Sequence, residues 1–541
     1  MTKQPDYIRD AEYGDYQTPF DLARHICLWL KAKGIQPEVL VEPTFGQGHF
    51  LFAALETFPS IKHVYGVEIY EPYFFETQRR INELWQGELW QGDRQFHLFC
   101  DDVFHFSFSD IAKRHAEQFI LVLGNPPWVT NSWLGCHHSE NTPHKFNYKN
   151  VRGIEAMTGK GNFDIGESIA VSMLKTFAQS KGCFAFLIKN SVVKNIVHDQ
   201  RQFRFPIAQM ERISIDAKKE FNASVDASLF FAKFREQSGQ ECSVADSLQT
   251  PVKSRFGWCG NKFVSDIAKY EQVASLDGKS PSIWRQGIKH DCSKVMELTF
   301  ENDTFRNGFN EIVDIDDDFI FPLLKSSDLK EQIIERTRKF VLVPQKIVGQ
   351  ETDFIQRDYP RTAAYLNKYR ELFERRQSTI YHNKPPFSIF GIGDYSFKPY
   401  KIAISGLYKQ TLFSLVLPQK ELPLKGKAVM LDDTCYLLGF DSLEEAICVH
   451  SLLNHEAMQN LLNSLVFLEG KRVITKEVLM RLDYGKLLSE IHDVKLQWNS
   501  RYAAITKKQV LEEMFSTLHS DFFQRKKQLP LFSEPPELYA K

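Results

Sequence analysis

The sequence lacks several features that would assign it to a membrane, a secreted disulfide framework or a metal-binding class. No apolar run approaches the roughly 18 residues that cross a bilayer, and the charged start, residues 1–6, does not resemble a signal peptide. The nine cysteines never form a CxxC pair, which argues against a zinc site or a disulfide framework. Neither sign of charge dominates, since 67 Lys and Arg stand against 68 Asp and Glu. We therefore expect a cytoplasmic protein without a membrane partner or bound metal, with any nucleic-acid contact confined to a local basic patch.

What the sequence does contain is an alternation of short apolar strands with amphipathic helices, between about residues 16 and 235. Such alternation predicts the α/β class, with a doubly wound and largely parallel sheet. Residues 166–178 are one of the predicted helices. The predicted strands are residues 39–41, 64–67, 96–99, 119–123, 184–188 and 229–234.

A polar stretch follows at residues 236–253, in which residues 237–240 are the predicted linker. Beyond it the pattern is mixed and less regular, and indicates an α+β domain. We therefore predict a first domain over residues 1–240, a second over residues 241–500, and a C-terminal helix and tail over residues 501–541.

The most informative stretch is residues 121–128, an apolar run that ends in Asn125, Pro126, Pro127 and Trp128. Because proline fixes φ and cannot donate to the next ladder position, this pattern predicts a buried strand that ends in a rigid turn. The carboxyl ends of parallel strands are where open α/β sheets bind ligands. On its own, the turn indicates only that something planar is held there.

Three further strand ends carry groups that suit an adenosine with a positively charged tail. Gly46 and Gly48 follow the first strand and would let a ligand approach the backbone closely. Leu51 stands where a dinucleotide site needs a third glycine, so NAD and FAD fit poorly. Glu68, at the next strand end, could accept hydrogen bonds from two ribose hydroxyls, and Asp102, at the third, could accept one from an exocyclic amine. Taken singly, a plain strand-helix turn explains the glycines, and a solvated surface glutamate explains Glu68.

In this order, the motifs resemble the N6-adenine DNA methyltransferases of restriction-modification systems, in the gamma arrangement of the TaqI-like enzymes. The resemblance implies a Rossmann-like catalytic domain over residues 1–240, S-adenosyl-L-methionine as cofactor, and a target-recognition domain over residues 241–500. Asn125, Pro126, Pro127 and Trp128 match the catalytic tetrad of that family. The cofactor-binding residues that the resemblance implies are Tyr16, Thr18, Pro19, Glu42, Pro43, Gly46, Gly48, Glu68, Ile69, Asp102, Val103 and Asn125.

Two later segments match the family less closely. Residues 161–165 resemble its next motif, although Gly166 replaces the usual tyrosine, and residues 182–188 resemble the strand before the motif that holds the target base. Lys189 stands at the usual proline position, and the expected stacking aromatic falls near His198. His198 is therefore the candidate for packing against the target base, with a surface or packing histidine as the alternative.

The tetrad suits methyl transfer to an aromatic amine. Adenine N6 is a poor nucleophile because its lone pair is delocalised, and the Asn125 side-chain oxygen and the Pro126 carbonyl can each accept one N6 hydrogen. Two aimed acceptors are worth roughly 2.7 to 4 kcal/mol each, by analogy with oxyanion donors. Trp128 would stack on the base, at about 1 to 3 kcal/mol. A base inside a duplex cannot reach such a pocket, so the sequence predicts base flipping.

The second half carries a local excess of basic residues, which suits double-stranded DNA as the partner. Between Lys330 and Gln410 there are 15 Lys and Arg against 8 Asp and Glu, an excess that favours phosphate contacts. Residues 284–289, 321–325, 398–402 and 462–464 resemble segments of the family's target-recognition region. The candidate DNA-binding residues are Arg285, Lys289, Lys325, Arg375, Arg376, Lys398 and Lys401.

Two further expectations concern partners. The fifteen residues before Tyr16 are too few for the nuclease domain that precedes the methyltransferase in fused enzymes, and the ExK spacing of residues 469–471 lacks a Pro-Asp partner. We therefore expect methylation without cleavage, beside a separately encoded restriction endonuclease. The segment from Gln528 to Phe532 resembles the short motif by which bacterial proteins dock on the sliding clamp, with a tail that packs on the protein body as the alternative.

Three rival functions remain open from the sequence. N4-cytosine methylation of DNA uses a similar amine, but its enzymes more often carry serine or aspartate at the position of Asn125. RNA and protein-glutamine methyltransferases share the turn, but they usually lack a long recognition region. A catalytically silent DNA-binding specificity component would keep the fold, although the intact tetrad and Glu68 argue against it.

Overall fold

The computed structural model describes residues 16–86, 93–128, 164–223, 225–407, 410–468, 472–490 and 502. The chain divides into two compact units, Met1–Ala268 and Lys269–Lys541. Each unit has its own sheets and its own buried apolar core.

The first unit is built on a ten-stranded sheet with the order β10-β9-β8-β6-β7-β5-β4-β1-β2-β3. Neighbouring strands from β5 to β3 in this order pair in parallel, whereas β7 pairs antiparallel with both β5 and β6. The strands are β1 (Val39–Glu42), β2 (His63–Glu68), β3 (Gln95–Cys100), β4 (Ile120–Gly124), β5 (Gly182–Lys189), β6 (Ile207–Ile215), β7 (Ala227–Phe234), β8 (Glu241–Ala245), β9 (Ser254–Cys259) and β10 (Lys262–Val264).

The predicted doubly wound sheet is confirmed, and all six predicted strands are present. β1 and β4 are buried along their whole length, which is why their sequences are continuous apolar runs rather than alternating ones. Apolar helix faces cover the sheet and close the core. The helices of this unit are α1 (Phe20–Ala32), α2 (His49–Thr57), α3 (Glu71–Gln86), α4 (Ser109–Arg114), α5 (Ile165–Phe177), α6 (Asn190–Phe203) and α7 (Ala217–Phe221).

The first compact unit ends at Ala268 rather than at the predicted residue 240, because three more strands belong to its sheet. β8 pairs in parallel with β6 and antiparallel with β9, so the supposed polar linker leads directly into a strand of the first sheet. β8 and β9 lie toward the sheet edge, where exposed positions such as Glu241 and Arg255 pair across the ladder. Such exposed charges gave the segment the composition of a linker in the sequence.

The second unit holds two five-stranded sheets, with the orders β11-β20-β17-β18-β15 and β13-β12-β16-β14-β19. Most of their pairings are antiparallel, and helices pack beside them, so the predicted α+β character is confirmed. The strands are β11 (Arg285–Gln286), β12 (Glu297–Glu301), β13 (Thr304–Arg306), β14 (Ile320–Leu324), β15 (Ile333–Ile334), β16 (Lys339–Leu342), β17 (Tyr400–Ser405), β18 (Ser414–Val416), β19 (Met430–Leu431) and β20 (Cys435–Phe440).

The helices of the second unit are mostly short. Four 3₁₀ turns, Ala274–Leu276, Asp317–Phe319, Ser326–Asp328 and Thr379–Tyr381, lie between them. Within the described ranges, no helix has the length and apolar character needed to cross a membrane. The α-helices are α8 (Ile267–Val273), α9 (Ser293–Met296), α10 (Asp353–Asp358), α11 (Pro360–Lys368), α12 (Arg370–Glu374), α13 (Asp394–Phe397), α14 (Leu443–Leu453), α15 (Glu456–Leu465), α16 (Lys476–Leu479) and α17 (Tyr484–Glu490).

Candidate active site

The predicted turn lies at the carboxyl end of β4, between two parallel neighbours. β1 pairs with β4 on one side and β5 on the other, and Gly124 at the end of β4 is opposite Phe186. Asn125 follows directly, so its side chain is carried at the edge of the sheet where the strand ladder stops. This is the edge at which open α/β sheets bind ligands.

The side-chain amide of Asn125 is oriented by the segment before α1. Its Nδ2 donates to the Tyr16 carbonyl at 2.8 Å and to the Thr18 Oγ1 at 3.2 Å. A backbone carbonyl only accepts hydrogen bonds, so the nitrogen must face Tyr16 and the oxygen must face the other way. In the described structure, Asn125 Oδ1 is buried and has no hydrogen-bond partner. Buried polar atoms are almost always paired, so an unpaired acceptor marks a position where a donor is expected.

Trp128 lies in the core beside the turn. Only 5% of its surface is exposed, and its Nε1 donates to the Leu187 carbonyl at 3.2 Å. Its ring packs against Tyr16, at a centroid distance of 5.5 Å, and edge-on against Phe221, at 4.9 Å. A base could therefore stack on the indole only after a neighbouring group moves.

Phe221 is the aromatic residue that sequence reasoning missed. It ends the five-residue helix α7, where Asn222 adopts a left-handed conformation before β7 begins. A single aromatic residue between a charged stretch and a strand gave no periodic signal. Its position just before β7, the strand that pairs with β5, could have indicated that it lies near the turn.

His198 does not lie beside the turn, so its predicted role as the base-packing residue is not supported. Its ring contacts Trp258 at 5.2 Å and Phe263 at 5.0 Å, and its carbonyl accepts from the Trp258 Nε1 at 3.0 Å. Trp258 is on β9, five strands from β4, which is about 24 Å at the usual strand spacing. His198 is thus a packing histidine near the β10 edge of the sheet, beside an open cavity of about 260 Å³.

The glycine turn after β1 is built closely against the N-terminal segment. Gly46 and Gly48 both have positive φ values, of 51° and 73°. A Cβ at Gly46 would lie 2.4 Å from the Gln17 Oε1, and the same oxygen accepts from the Gln47 backbone N–H at 2.9 Å. The positive φ values favour glycine at both positions, and a side chain at Gly46 would displace the Gln17 amide.

Glu68, at the end of β2, is held by two backbone amides. Its Oε2 accepts from the Gly46 N–H and its Oε1 from the Tyr70 N–H, both at 2.8 Å. These two bonds fix the carboxylate at the strand end, and carboxylate oxygens are acceptors that suit ribose hydroxyls. Ile69 beside it is 59% exposed, which places an aliphatic surface next to the carboxylate.

Glu42, at the end of β1, is fully buried and contributes an unpaired oxygen. In the described structure its Oε2 has no hydrogen-bond partner. Burial raises the pKa of this carboxyl well above its ordinary value, and the nearby charge of Glu68 raises it further. A buried acid next to a second acid is a site that a positive charge would stabilise. Pro43 follows and packs against Gly124.

Asp102 lies in the turn after β3 and stabilises it. Its Oδ1 accepts from the Phe104 backbone N–H at 2.9 Å, and its Oδ2 lies 3.3 Å from His105 Nδ1. The side chain and that of Val103 are partly exposed. Asp102 is thus ordered and accessible at the third strand end of the same edge.

An ion pair connects the two segments that depart from the family pattern. Lys189 Nζ lies 2.7 Å from Asp164 Oδ2, and both side chains are mostly buried. Gly166 follows Asp164 in the first turn of α5. A Cβ there would lie 3.1 Å from Asp164 Oδ1 and 3.3 Å from the Pro127 carbonyl. The missing side chain at Gly166 therefore lets α5 approach the proline turn closely.

These groups fit S-adenosylmethionine. The unpaired Glu42 oxygen suits its positive charge, Glu68 suits its ribose hydroxyls, and exposed Ile69 suits a purine face. Thr18 and Pro19 lie immediately before α1, and the His49 Nδ1 bonds with the Thr18 carbonyl at 2.6 Å. The N-terminal segment, the glycine turn and Asn125 are thus connected.

In the second unit, the predicted DNA-binding residues fall into two groups. Two of them are turned inward: Lys401 is 1% exposed and donates to the Lys398 carbonyl, and Arg376 donates to the His290 and Ser388 carbonyls. Burial lowers the pKa of Lys401 to about 7. Both side chains are occupied by backbone carbonyls in this conformation, and their DNA contacts remain predictions.

The other five have exposed or partly exposed positions. Arg375 is exposed beside Glu371, Lys398 pairs with Asp441, and Lys325 pairs with Glu297 at 2.6 Å. The remaining two are Lys289, which lies 3.5 Å from Asp291, and Arg285, whose guanidinium lies 5.4 Å from the Tyr395 ring centroid. Their DNA contacts remain predictions. Three predicted segments lie outside the described residues: 161–163, 469–471 and the clamp motif, 528–532.

Comparison with known proteins places this site in context. No family model matches the chain. The chain is 40% identical over 482 residues to the type II methyltransferase M.NspV of Nostoc sp. (strain ATCC 29411 / PCC 7524), an alignment that covers 89% of this chain and 98% of that protein. Among solved structures, the type IIL restriction-modification enzyme MmeI, in complex with DNA, aligns with a TM-score of 0.52 at 12% identity, over 98% of this chain and 75% of that one. The second similarity is one of fold.

Proposed function

Since the chain belongs to the type II methyltransferases, we propose that it transfers the methyl group of S-adenosylmethionine to N6 of an adenine in duplex DNA. The observation that carries the proposal is the buried, unpaired Asn125 Oδ1, whose direction is set by the bonds from Nδ2 to Tyr16 and Thr18. An acceptor fixed in this way suits an exocyclic amine.

The turn would activate the amine by accepting its hydrogens. The N6 lone pair is delocalised into the purine ring, and hydrogen bonds to Asn125 Oδ1 and the Pro126 carbonyl favour a tetrahedral nitrogen with an available lone pair. Because both acceptors are fixed before the reaction, they need no reorganisation, and each is worth about 3 kcal/mol. When bound, S-adenosylmethionine supplies a methyl group on a positively charged sulfur.

The aromatic residues around the turn would hold the base. Trp128 lies between Tyr16 and Phe221, and a base that enters displaces a group from one of its faces. The binding energy of stacking, about 1 to 3 kcal/mol, offsets part of the few kcal/mol needed to unstack a base from the duplex. Phe221 replaces His198 as the proposed second aromatic contact.

Methyl transfer from tritiated S-adenosylmethionine to duplex DNA, RNA and protein in parallel tests the proposal. We expect label in duplex DNA, and nucleoside analysis should find N6-methyladenine. N4-methylcytosine instead would contradict the choice of base, while label only in RNA or protein, or in nothing, would contradict the DNA methyltransferase itself. A duplex with 2-aminopurine at the target position should gain fluorescence on binding if the base is flipped.

We further propose that the chain acts in a restriction-modification system beside a separately encoded endonuclease. The type II methyltransferase relative supports this role. Plasmid DNA incubated with the purified chain, Mg²⁺ and cofactor should remain uncut while it becomes methylated. DNA cleavage by the chain alone would contradict the second half of this proposal.

A further inference from the structure

Two loops of the second unit are joined into one ordered rim. Gln345 is buried, and its Nε2 donates to the carbonyls of Ile347 and Ile389, at 2.9 and 3.1 Å. Its Oε1 accepts from the Ile389 N–H at 3.2 Å, and Thr352 Oγ1 donates to the Pro386 carbonyl at 2.7 Å. Residues 345–352 and 382–389 therefore form one surface, the two-loop rim.

The two-loop rim holds a pair of aliphatic side chains in solvent. Ile347 is 54% exposed and Val348 is 37% exposed. The turn that carries them is closed by the Lys346 N–H, which donates to Gln350 Oε1 at 2.7 Å. Single exposed aliphatic residues are ordinary on protein surfaces. Two adjacent ones on a hydrogen-bonded turn are preorganised for contact, since little entropy is lost when they bind.

The charge around these side chains is positive. Residues 336–350 and 375–393 contain no Asp or Glu, and Glu351 is the first acid beyond the turn. Lys346 and Lys384 are exposed, one in each loop. Within the described ranges, neither has a carboxylate within ion-pair distance, unlike Arg375 and Lys398. Two cations without counter-charges beside apolar side chains suit a polyanion that also offers apolar edges.

We propose that the two-loop rim contacts duplex DNA, with Lys346 and Lys384 on phosphates and Ile347 and Val348 against base edges in a groove. This inference rests on the proposed function, because it names the surface that meets the same substrate. Lysines at phosphates position a duplex without reading it. Aliphatic side chains discriminate sequence through the thymine methyl group or by wedging at a base step, so the two pairs have separable roles.

The test compares two double variants with matched controls. Lys346→Ala/Lys384→Ala removes the cations, and its control is Lys279→Ala/Lys425→Ala, at exposed lysines outside the basic region. Ile347→Thr/Val348→Thr keeps β-branching but removes apolar contact. Its control is Ile312→Thr, which changes a 62% exposed aliphatic residue. The methylated site is first mapped by long-read sequencing of DNA from cells that express the unchanged chain, and Kd is then measured on duplexes with and without that site.

The lysine variant should bind both duplexes more weakly, and its slope of log K against log salt should fall by about 0.9 for each lysine removed. The aliphatic variant should lose about tenfold in affinity for the site-containing duplex and much less for the other. Both controls should bind like the unchanged chain.

Three outcomes distinguish a failure of this inference from a failure of the proposed function. If the unchanged chain methylates and binds DNA and the rim variants do so equally well, the inference is wrong and the proposed function stands. If the unchanged chain neither binds nor methylates duplex DNA, the proposed function itself fails. If light scattering shows that the aliphatic variant loses a dimer without any change in DNA affinity, a second copy of the chain covers the rim and the inference is overturned.

Discussion

The Asn125 side chain donates to the backbone carbonyl of Tyr16 at 2.8 Å, 109 residues earlier in the sequence. This bond determines the orientation of the amide. With Thr18 Oγ1 as a second acceptor for Nδ2, the Oδ1 is left as the free acceptor. If the proposed function holds, the N-terminal segment would act in catalysis by orienting Asn125.

Asn125→Ala should lower kcat for methyl transfer by about 10² to 10³, since one aimed hydrogen-bond acceptor is lost. Thr18→Val should give a smaller loss, because the amide keeps its bond to Tyr16, and Thr18→Ser should restore the rate. Steady-state kinetics at saturating cofactor and DNA measure this, with circular dichroism as the check on folding. Full activity in Asn125→Ala would show that the mechanism is wrong.

Glu42 predicts a pH dependence of stability and of cofactor binding. Its folded-state pKa is raised by burial and by Glu68, so above the ordinary carboxyl pKa the folded state binds more protons than the unfolded state. The free energy of unfolding should therefore fall as pH rises from that value toward the raised pKa. Glu42→Gln should remove this slope. Urea unfolding from pH 4.5 to 8.5 measures it, and equal slopes in the two proteins would contradict the assignment.

The same group should couple cofactor affinity to pH. A cationic ligand favours the ionised carboxylate, so binding to the unchanged chain should release a proton and strengthen as pH rises. Calorimetry in buffers of different ionisation enthalpy counts that proton. Glu42→Gln should bind more weakly and without this proton release.

Gly46 offers a sharp test of the glycine turn. In Gly46→Ala the new Cβ would lie 2.4 Å from Gln17 Oε1, on a backbone with φ of 51°. Gly34→Ala is the matched control, because Gly34 has φ of 79° but nothing within 4 Å of the added atom. Both should lose about 1 kcal/mol of stability from backbone strain. Only Gly46→Ala should lose cofactor affinity as well, by isothermal titration, and equal affinity in both variants would exclude a special role for the turn.

The strands that could be predicted most directly from the sequence are those whose residues are buried along nearly the whole strand. β1, β4 and β5 are covered on both faces, so their apolar runs and the polar residues that end them could be read directly. β6 was missed because a bulge near Gln209, which has a positive φ, interrupts its alternation. β8 was missed because it has only five residues, begins at exposed Glu241 and follows directly on a polar stretch.

Single residues were less predictable than strands. Lys401 counted toward a basic patch, but it lies on the central strand β17, where neighbours cover its chain. Charge in a sequence does not tell whether an ammonium faces water. The orientation of Asn125 likewise depends on a bond to a carbonyl far away in the chain, which no local pattern contains.

Phe221 and His198 give opposite predictions for the base-binding aromatic. Phe221 contacts Trp128, whereas His198 contacts Trp258 at the far side of the sheet. Phe221→Ala should raise KM for DNA and reduce the 2-aminopurine signal, while Phe221→Tyr should keep both. His198→Ala should behave like the unchanged chain. The reverse pattern would return the role to His198.

The Asp164–Lys189 pair predicts an unequal pattern of single and double variants. Burial is the largest influence on the pKa of Asp164 and raises it, whereas Lys189 lowers it. Lys189→Met should cost about 3 to 5 kcal/mol, because a buried carboxylate is left alone. Asp164→Asn combined with Lys189→Met should recover most of that loss in urea unfolding, since no charge remains.

The double variant also distinguishes an effect on stability from an effect on the position of the proline turn. If it unfolds like the unchanged chain but has a lower kcat at unchanged KM, the pair positions the proline turn through Gly166. If kcat is also unchanged, the pair serves the fold alone.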